Sequence, residues 1–282
     1  MVDLVEPRYD QSLTKSMFSI PATGVGGGEV EGGRAPNFTR DIKGCDLENL
    51  AFDFTELNTD QQRAVERVIS AKDYALLQGL PGTGKSSTIV FIAKLLLARH
   101  QRVLITSYTH TAVDNLLMKL KEEGVGVEEG YGDVARVGYE AKTHENVKEF
   151  LVENIAKGGL GGKRKVGTKE LKSAIDYAKV SPSQRRAAET NKTKKFAAQV
   201  VGVTTLTVGS AASSPLIGQH FDFVIVDEAG QISQPAILSS LALASKFVLV
   251  GDQMQLPPIV KSQAASTGGF SVSLLQRMAE PW

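Results

Sequence analysis

Cysteine is almost missing from this sequence: 282 residues contain one, Cys45. That excludes a disulfide framework within the chain, and any zinc or iron–sulfur site held by four of its own cysteines. Cys45 reads as a neutral structural residue. Long apolar runs are lacking too, and no stretch is long enough to span a membrane. The opening residues Met1-Val2-Asp3-Leu4-Val5-Glu6 lack the basic and apolar regions of a secretory signal. These absences lead to the expectation of an intracellular, reducing compartment. A charge surplus is missing as well. With 32 basic and 31 acidic residues the net charge is +1, so any nucleic-acid surface must be local. No internal repeat is visible. The apolar fraction of 42% suffices for a sizeable core, and the length suits one or two domains.

The stretch around which the rest is arranged is Gly79-Leu80-Pro81-Gly82-Thr83-Gly84-Lys85-Ser86. It fits G-x-x-x-x-G-K-[ST] without mismatch. The apolar run Asp73–Gln78 before it reads as a buried strand, and Ser87 to Ala98 after it is apolar at helical spacing. Strand, glycine loop and helix in that order is the setting the motif requires. Glycines let successive N–H groups point inward, and the helix N-terminus adds its positive end. Lys85 supplies a charge for the outer phosphates, and Ser86, followed by Ser87, a hydroxyl for Mg²⁺.

Residues 1–50 read as a flexible N-terminal segment or the tail of an upstream domain, with a glycine-rich linker at 24–33. Gly24, Gly26 and Val30 make no dinucleotide fingerprint, because no strand precedes them and no helix follows. Order is expected from about Phe52. Asn58 and Gln61 form a capping pair for a helix whose apolar stripe is Ala64, Val65, Val68 and Ile69. Strands are expected at Arg102–Thr106, Val134–Val137, Gln199–Val203, Phe221–Glu228 and Lys246–Asp252, and helices at Thr111–Leu120, Pro235–Leu243 and Ser271–Ala279. Near-continuous apolar strands alternating with helices predict an α/β fold, with a parallel sheet covered on both faces. Residues 123–195 read as a partly helical insertion. Within it, Lys157 to Lys195 holds twelve Lys or Arg against three acidic residues. This stretch either lies against nucleic acid or is a solvated insertion.

Ligands of doubly wound sheets bind at the carboxyl edge. Four strand ends carry suitable residues there: the phosphate loop, Ser107-Tyr108-Thr109-His110, Asp227-Glu228 and Gly251-Asp252. Asp227 suits Mg²⁺ held through water, and Glu228 suits polarising an attacking water. Adjacent carboxylates on a strand point to opposite faces, so both serve one site only if the strand breaks there. Ala229-Gly230 is the expected break. Gln255 is within reach of a γ-phosphate by this reading, and an ordinary polar turn before Pro257-Pro258 is the alternative.

Leu57-Asn58-x-x-Gln61, GLPGTGKS, Ser107-Tyr108-Thr109-His110-Thr111-Ala112-Val113-Asp114-Asn115, Val203-Thr204-Thr205, Asp227-Glu228-Ala229-Gly230-Gln231-Ile232-Ser233-Gln234-Pro235 and GDQMQLPP resemble, in order, the motifs of superfamily 1 helicases. The SYTHTAVDN run and DEAxQISQP resemble most closely the DNA replication helicase/nuclease branch. The related nonsense-mediated-decay RNA helicases usually have proline where Tyr108 stands. The resemblance covers roughly residues 52–280, apart from the basic stretch.

It implies a RecA-like P-loop NTPase domain that uses ATP and Mg²⁺. Gln61 would read the adenine edge, Gly79 to Ser87 would hold phosphate, Ser86 and Asp227 the metal. Lys85, Asp227, Glu228 and Gln255 would act in catalysis, and Gln231 and Gln255 would sense the γ-phosphate. Thr109, His110, Thr204 and Thr205 would touch the backbone of single-stranded DNA. Gly230 stands where the family usually has serine or alanine, a departure expected to matter little. The implied location is the nucleus. The family's motor has a second RecA-like domain that supplies arginines, and no such motif is found in 51–282, so a fragment of a longer protein is expected. The alternatives are an RNA helicase of the same superfamily and a nucleotide- and nucleic-acid-binding module without turnover.

Overall fold

A computed structural model describes residues 47–80, 82–126, 134–156, 198–210 and 215–280. Cys45, the glycine-rich linker, Pro81 and the basic stretch 157–195 lie outside the described residues.

Six strands form one sheet: β1 (Tyr74–Gln78), β2 (Val103–Ser107), β3 (Val134–Val137), β4 (Val200–Thr204), β5 (Phe221–Asp227) and β6 (Ala244–Gly251). Their order is β1-β6-β5-β2-β4-β3, and every neighbouring pair is parallel. The helices are α1 (Leu47–Glu56), α2 (Thr59–Ser70), α3 (Lys85–Ala98), α4 (His110–Glu122), α5 (Val152–Ala156), α6 (Gln234–Leu241) and α7 (Leu274–Ala279), with a helical turn at Thr205–Val208.

Alternation along each strand sorts its side chains into two cores. Val103, Ile105, Phe223, Ile225, Val248 and Val250 join the cluster under α1 to α4. Leu104, Val201, Val203, Val224, Val226 and Leu249 join the cluster under α5, α6 and α7. Both faces of the parallel sheet are therefore covered, as its unbroken apolar strands require. At Gly202 the sheet and α4 touch so closely that a Cβ would lie 2.7 Å from Leu117.

Helix α2 begins as its residues dictate. The Asn58 side chain accepts from the N–H of Asp60 and Gln61, while Gln61 Oε1 accepts from the Asn58 N–H, a closed capping box. Helix α3 is buried all round from Thr88 to Ala98, not along one stripe. Its outer side is covered by α1, through the Phe54–Phe91 ring contact at 5.9 Å, and by Lys94 paired with Asp53 and Glu123 at 2.7 and 2.8 Å.

Two expected boundaries are corrected. Helix α1 already starts at Leu47, ahead of the expected start near Phe52, and Leu50, fully buried, and Phe54 are its apolar side. The expected insertion 123–195 is not all inserted. β3 pairs with β4, and Val147, Phe150, Leu151 and Ile155 are core residues. Smaller shifts are that α6 ends at Leu241 and α7 begins at Leu274, with Ser273 as its cap.

Candidate nucleotide and nucleic-acid site

β1 ends at Gln78, and the next residue, Gly79, donates its N–H to Gly251 O at 3.2 Å, so the phosphate loop leaves the sheet tied to β6. Gly82 and Gly84 have φ of +79° and +82°. In this left-handed region glycine has no Cβ to clash. At Gly84 a Cβ would also fall 2.3 Å from the Gln61 amide nitrogen. Gln61 Nε2 donates to Thr83 O at 3.3 Å, so the capping glutamine of α2 holds the loop from outside. Lys85 Nζ donates to the carbonyls of Gly79 and Leu80 at 2.6 and 3.1 Å. Gln61, Ala64, Gly79, Thr83, Lys85 and Thr88 line a cavity of about 300 Å³. A slightly larger cavity, about 360 Å³, opens around Lys94 between α1, α3 and α4, and neither a loop glycine nor Lys85 lines it. The smaller cavity is the one with phosphate chemistry.

The carboxylates follow β5. Asp227 is buried, with 7% of its surface exposed. The strand breaks at Glu228 itself, with φ +55° and ψ +36°, rather than at Ala229-Gly230 as expected. Left-handed backbone in a non-glycine residue costs about 1–3 kcal/mol and persists where its surroundings enforce it. This turn is what releases Glu228 from the strand alternation. Glu228 N–H donates to Asp227 Oδ1 at 3.0 Å, and Gln231 Nε2 donates to Glu228 Oε2 at 3.0 Å. Gln231 therefore orients Glu228. Burial, and then the Glu228 charge, push the Asp227 carboxyl up to about 6, against the opposing pull of the Glu228 N–H, Lys85 and Lys119.

After β6, Asp252 organises the Gln255 loop. Its Oδ1 accepts from Met254 N–H at 2.9 Å, and its Oδ2 from Gln255 Nε2 at 3.1 Å. These bonds, the Met254 one first, hold its carboxyl below the usual range. Gly230 packs directly on this loop: a Cβ there would sit 2.7 Å from Asp252 O. The expectation that glycine at 230 matters little is therefore corrected, since the two loops meet closer than a serine or alanine permits.

The described residues fit a nucleoside triphosphate with Mg²⁺. Left-handed glycines leave a cradle before a helix N-terminus, and Lys85 acts electrostatically on both Asp227 and Asp252. Ser86, on the first turn of α3, and Asp227 are the oxygen donors suited to the metal.

Of the four expected nucleic-acid contacts, two are reachable. Thr109 is exposed and caps α4, its hydroxyl accepting from Ala112 N–H at 3.2 Å. His110, half-buried, opens that helix. Thr204 and Thr205 are corrected. Both are buried, Thr204 Oγ1 lies 2.6 Å from Thr207 Oγ1, and Thr205 Oγ1 donates to Ser107 O at 3.0 Å. The Thr205 hydroxyl ties the segment after β4 to the end of β2, and the Thr204 hydroxyl closes on the helical turn that follows.

Sequence reasoning missed the buried pair below His110. Arg136 Nε donates to Asp114 Oδ1 at 2.7 Å, and Arg136 Nη2 lies 3.1 Å from His110 Nδ1. An arginine in the middle of Val134-Ala135-Arg136-Val137, and an aspartate on the apolar face of α4, were the available signals.

A phosphate loop on β1, a carboxylate pair on β5 and one strand between them define a RecA-like P-loop NTPase domain. The family model described as AAA domain matches residues 56–197 and 162–263, and the chain belongs to that family. The DNA replication ATP-dependent helicase/nuclease JHS1 of Arabidopsis thaliana is 38% identical over 226 residues, covering 79% of this chain and 14% of that protein. The DNA replication ATP-dependent helicase/nuclease DNA2 of Xenopus laevis is 41% identical over 223 residues, covering 79% of this chain and 18% of that one. The chain thus spans less than a fifth of these curated relatives. Among solved structures, the UvsW helicase of bacteriophage T4 is a distant neighbour at 13% identity and a TM-score of 0.41, covering 75% of this chain and 62% of that one. No helix among the described residues is long and apolar enough to cross a membrane.

Proposed function

We propose that this chain is the first motor domain of an ATP-dependent DNA helicase that acts in replication in the nucleus and is part of a longer protein. The observation that carries the proposal is the left-handed turn at Glu228, which brings a second carboxylate to the sheet edge where Lys85 already acts on Asp227. Family membership and the helicase/nuclease relatives support the same reading.

The Gly79 to Ser87 segment binds the phosphates through Lys85 and the backbone N–H groups of its residues other than Pro81, which has none. Ser86 and Asp227 would hold Mg²⁺, which would neutralise charge on the phosphate oxygens. Glu228, oriented by Gln231, takes up the position from which a water is polarised. Gln255, whose amide donates to Asp252, would sense the γ-phosphate. Thr109 and His110 meet a single strand by contacts to its backbone, without reading bases. Turnover needs a second RecA-like domain that brings arginines to the transferring phosphate.

Two titrations test this. Chain 1–282 is titrated with a fluorescent ATP analogue with and without Mg²⁺, and with single-stranded DNA against RNA of the same sequence. Metal-dependent analogue binding and a preference for DNA are expected. Preference for RNA would move the chain to the RNA-helicase alternative, and absence of analogue binding would sink the proposal.

A further inference from the structure

The network under His110 determines what that imidazole offers to solvent. Arg136 is fully buried in the middle of β3. Its Nε donates to Asp114 Oδ1 at 2.7 Å, its Nη1 donates to Val137 O at 2.6 Å, and its Nη2 lies 3.1 Å from His110 Nδ1. Asp114 is held in turn, since its Oδ2 accepts from His144 N–H at 2.8 Å. A guanidinium has five donors, no acceptor and a proton it does not release. His110 Nδ1 must therefore be the acceptor. A ring that accepts at Nδ1 is neutral and carries its proton on Nε2, the atom that the network leaves unused.

The surroundings favour the same state. Burial, Arg136 and Lys142 disfavour a charged ring, in that order, and Asp114 alone opposes them, so the His110 imidazole titrates below its ordinary range. A buried ion pair gains little over apolar side chains of equal volume. Packing of β3 on α4 does not by itself call for Arg136 and Asp114, whereas fixing a ring nitrogen does.

We propose that Arg136 is a positioning residue that holds His110 as the neutral Nε2–H tautomer, so that the first turn of α4 presents a fixed hydrogen-bond donor to the oxygens of a nucleic-acid backbone. This rests on the reading of Thr109 and His110 as the strand interface. A single neutral donor beside the Thr109 hydroxyl recognises phosphate or sugar oxygen whatever the base.

The test uses chain 1–282 and long-range proton–nitrogen NMR of its imidazoles, with His110 assigned by a His110→Ala variant. The expected wild-type spectrum at neutral pH has His110 Nδ1 unprotonated and Nε2 protonated. Arg136→Met alone would leave the Asp114 charge buried and unpaired, so it is paired with Asp114→Asn. The double variant should show mixed tautomers at His110 and bind a fluorescent oligothymidylate about three- to tenfold more weakly, the loss expected for one hydrogen bond. A charged or Nδ1-protonated His110 in wild type overturns the inference, as does an unchanged His110 spectrum in the folded double variant. Spectra as inferred, with His110→Ala binding the oligonucleotide as tightly as wild type, would overturn the interface reading alone and leave the hold of Arg136 on the ring supported.

Discussion

Gly230 and Asp252 face each other across two loops, so close that a Cβ on Gly230 would be 2.7 Å from the Asp252 carbonyl oxygen. Backbone cannot give way as a flexible side chain does. Gly230→Ala should push the Asp252 loop away from the Glu228 turn and destabilise the domain by about 1–3 kcal/mol, the range for overpacking. It should also weaken ATP-analogue binding, because Gln255 moves with Asp252. Urea unfolding and analogue titration of Gly230→Ala and Gly230→Ser check this. Wild-type values for both variants would mean that the loops can part at no cost.

Lys85 bonds to the carbonyls of Gly79 and Leu80, within the loop it serves. Lys85→Ala should therefore leave the fold largely intact and lose phosphate affinity. In a version of the protein that turns over ATP, the loss should be on the order of 3 kcal/mol of transition-state stabilisation, by analogy with removing one preorganised donor. Analogue binding by the variant with wild-type affinity would take Lys85 out of the site.

Asp227 predicts a dependence of stability on pH whose sign is opposite to that of most carboxylates. Its folded value of about 6 lies above the ordinary 3.8, so the folded domain holds the proton more tightly than the unfolded chain does. Above about pH 6 wild type bears the cost of a buried charge. As pH falls from 6 toward 3.8 that cost disappears. Asp227→Asn keeps an oxygen for the Glu228 N–H and removes the charge. It should be more stable than wild type by up to about 3 kcal/mol at pH 7 to 8, following the size of the shift. The difference should close below pH 4. Unfolding midpoints measured across this range decide the matter, and a difference independent of pH would assign the effect elsewhere.

Slow hydrolysis by chain 1–282 follows from the proposed function. Lys85 and a metal at Asp227 neutralise only part of the charge that develops, and a missing arginine is worth about 10³–10⁵ in rate in comparable P-loop enzymes. The measurement is ATPase rate, with and without single-stranded DNA, for residues 1–282 and for a longer chain containing the second domain. Rates within a few-fold of each other at all protein concentrations would contradict it. A rate per molecule that rises with concentration would instead mean that a neighbouring copy lends the group.

Much of this protein is legible in the sequence because the relevant physics is local. Gly79 to Ser86 contain their own turn geometry, charge and helix start within eight residues. The Asn58–Gln61 capping box spans four residues, and the apolar strands declare a sheet buried on both faces by composition alone. The contacts that decide the site are not local. Strand order puts β6 between β1 and β5, and β4 beside β2, joining Thr205 to Ser107 across 98 positions. That pairing turns Thr204 and Thr205 from expected contacts into buried ties. Nothing around Arg136 in sequence names Asp114 or His110 as its partners, and nothing around Gly230 names Asp252. The sequence by itself determined the phosphate loop, the strands and their apolar alternation, since each arises from neighbours a few residues apart. Only the tertiary structure decided which polar groups face outward, because the exposure of a hydroxyl, a ring nitrogen or a carboxylate depends on what distant strands bring against it.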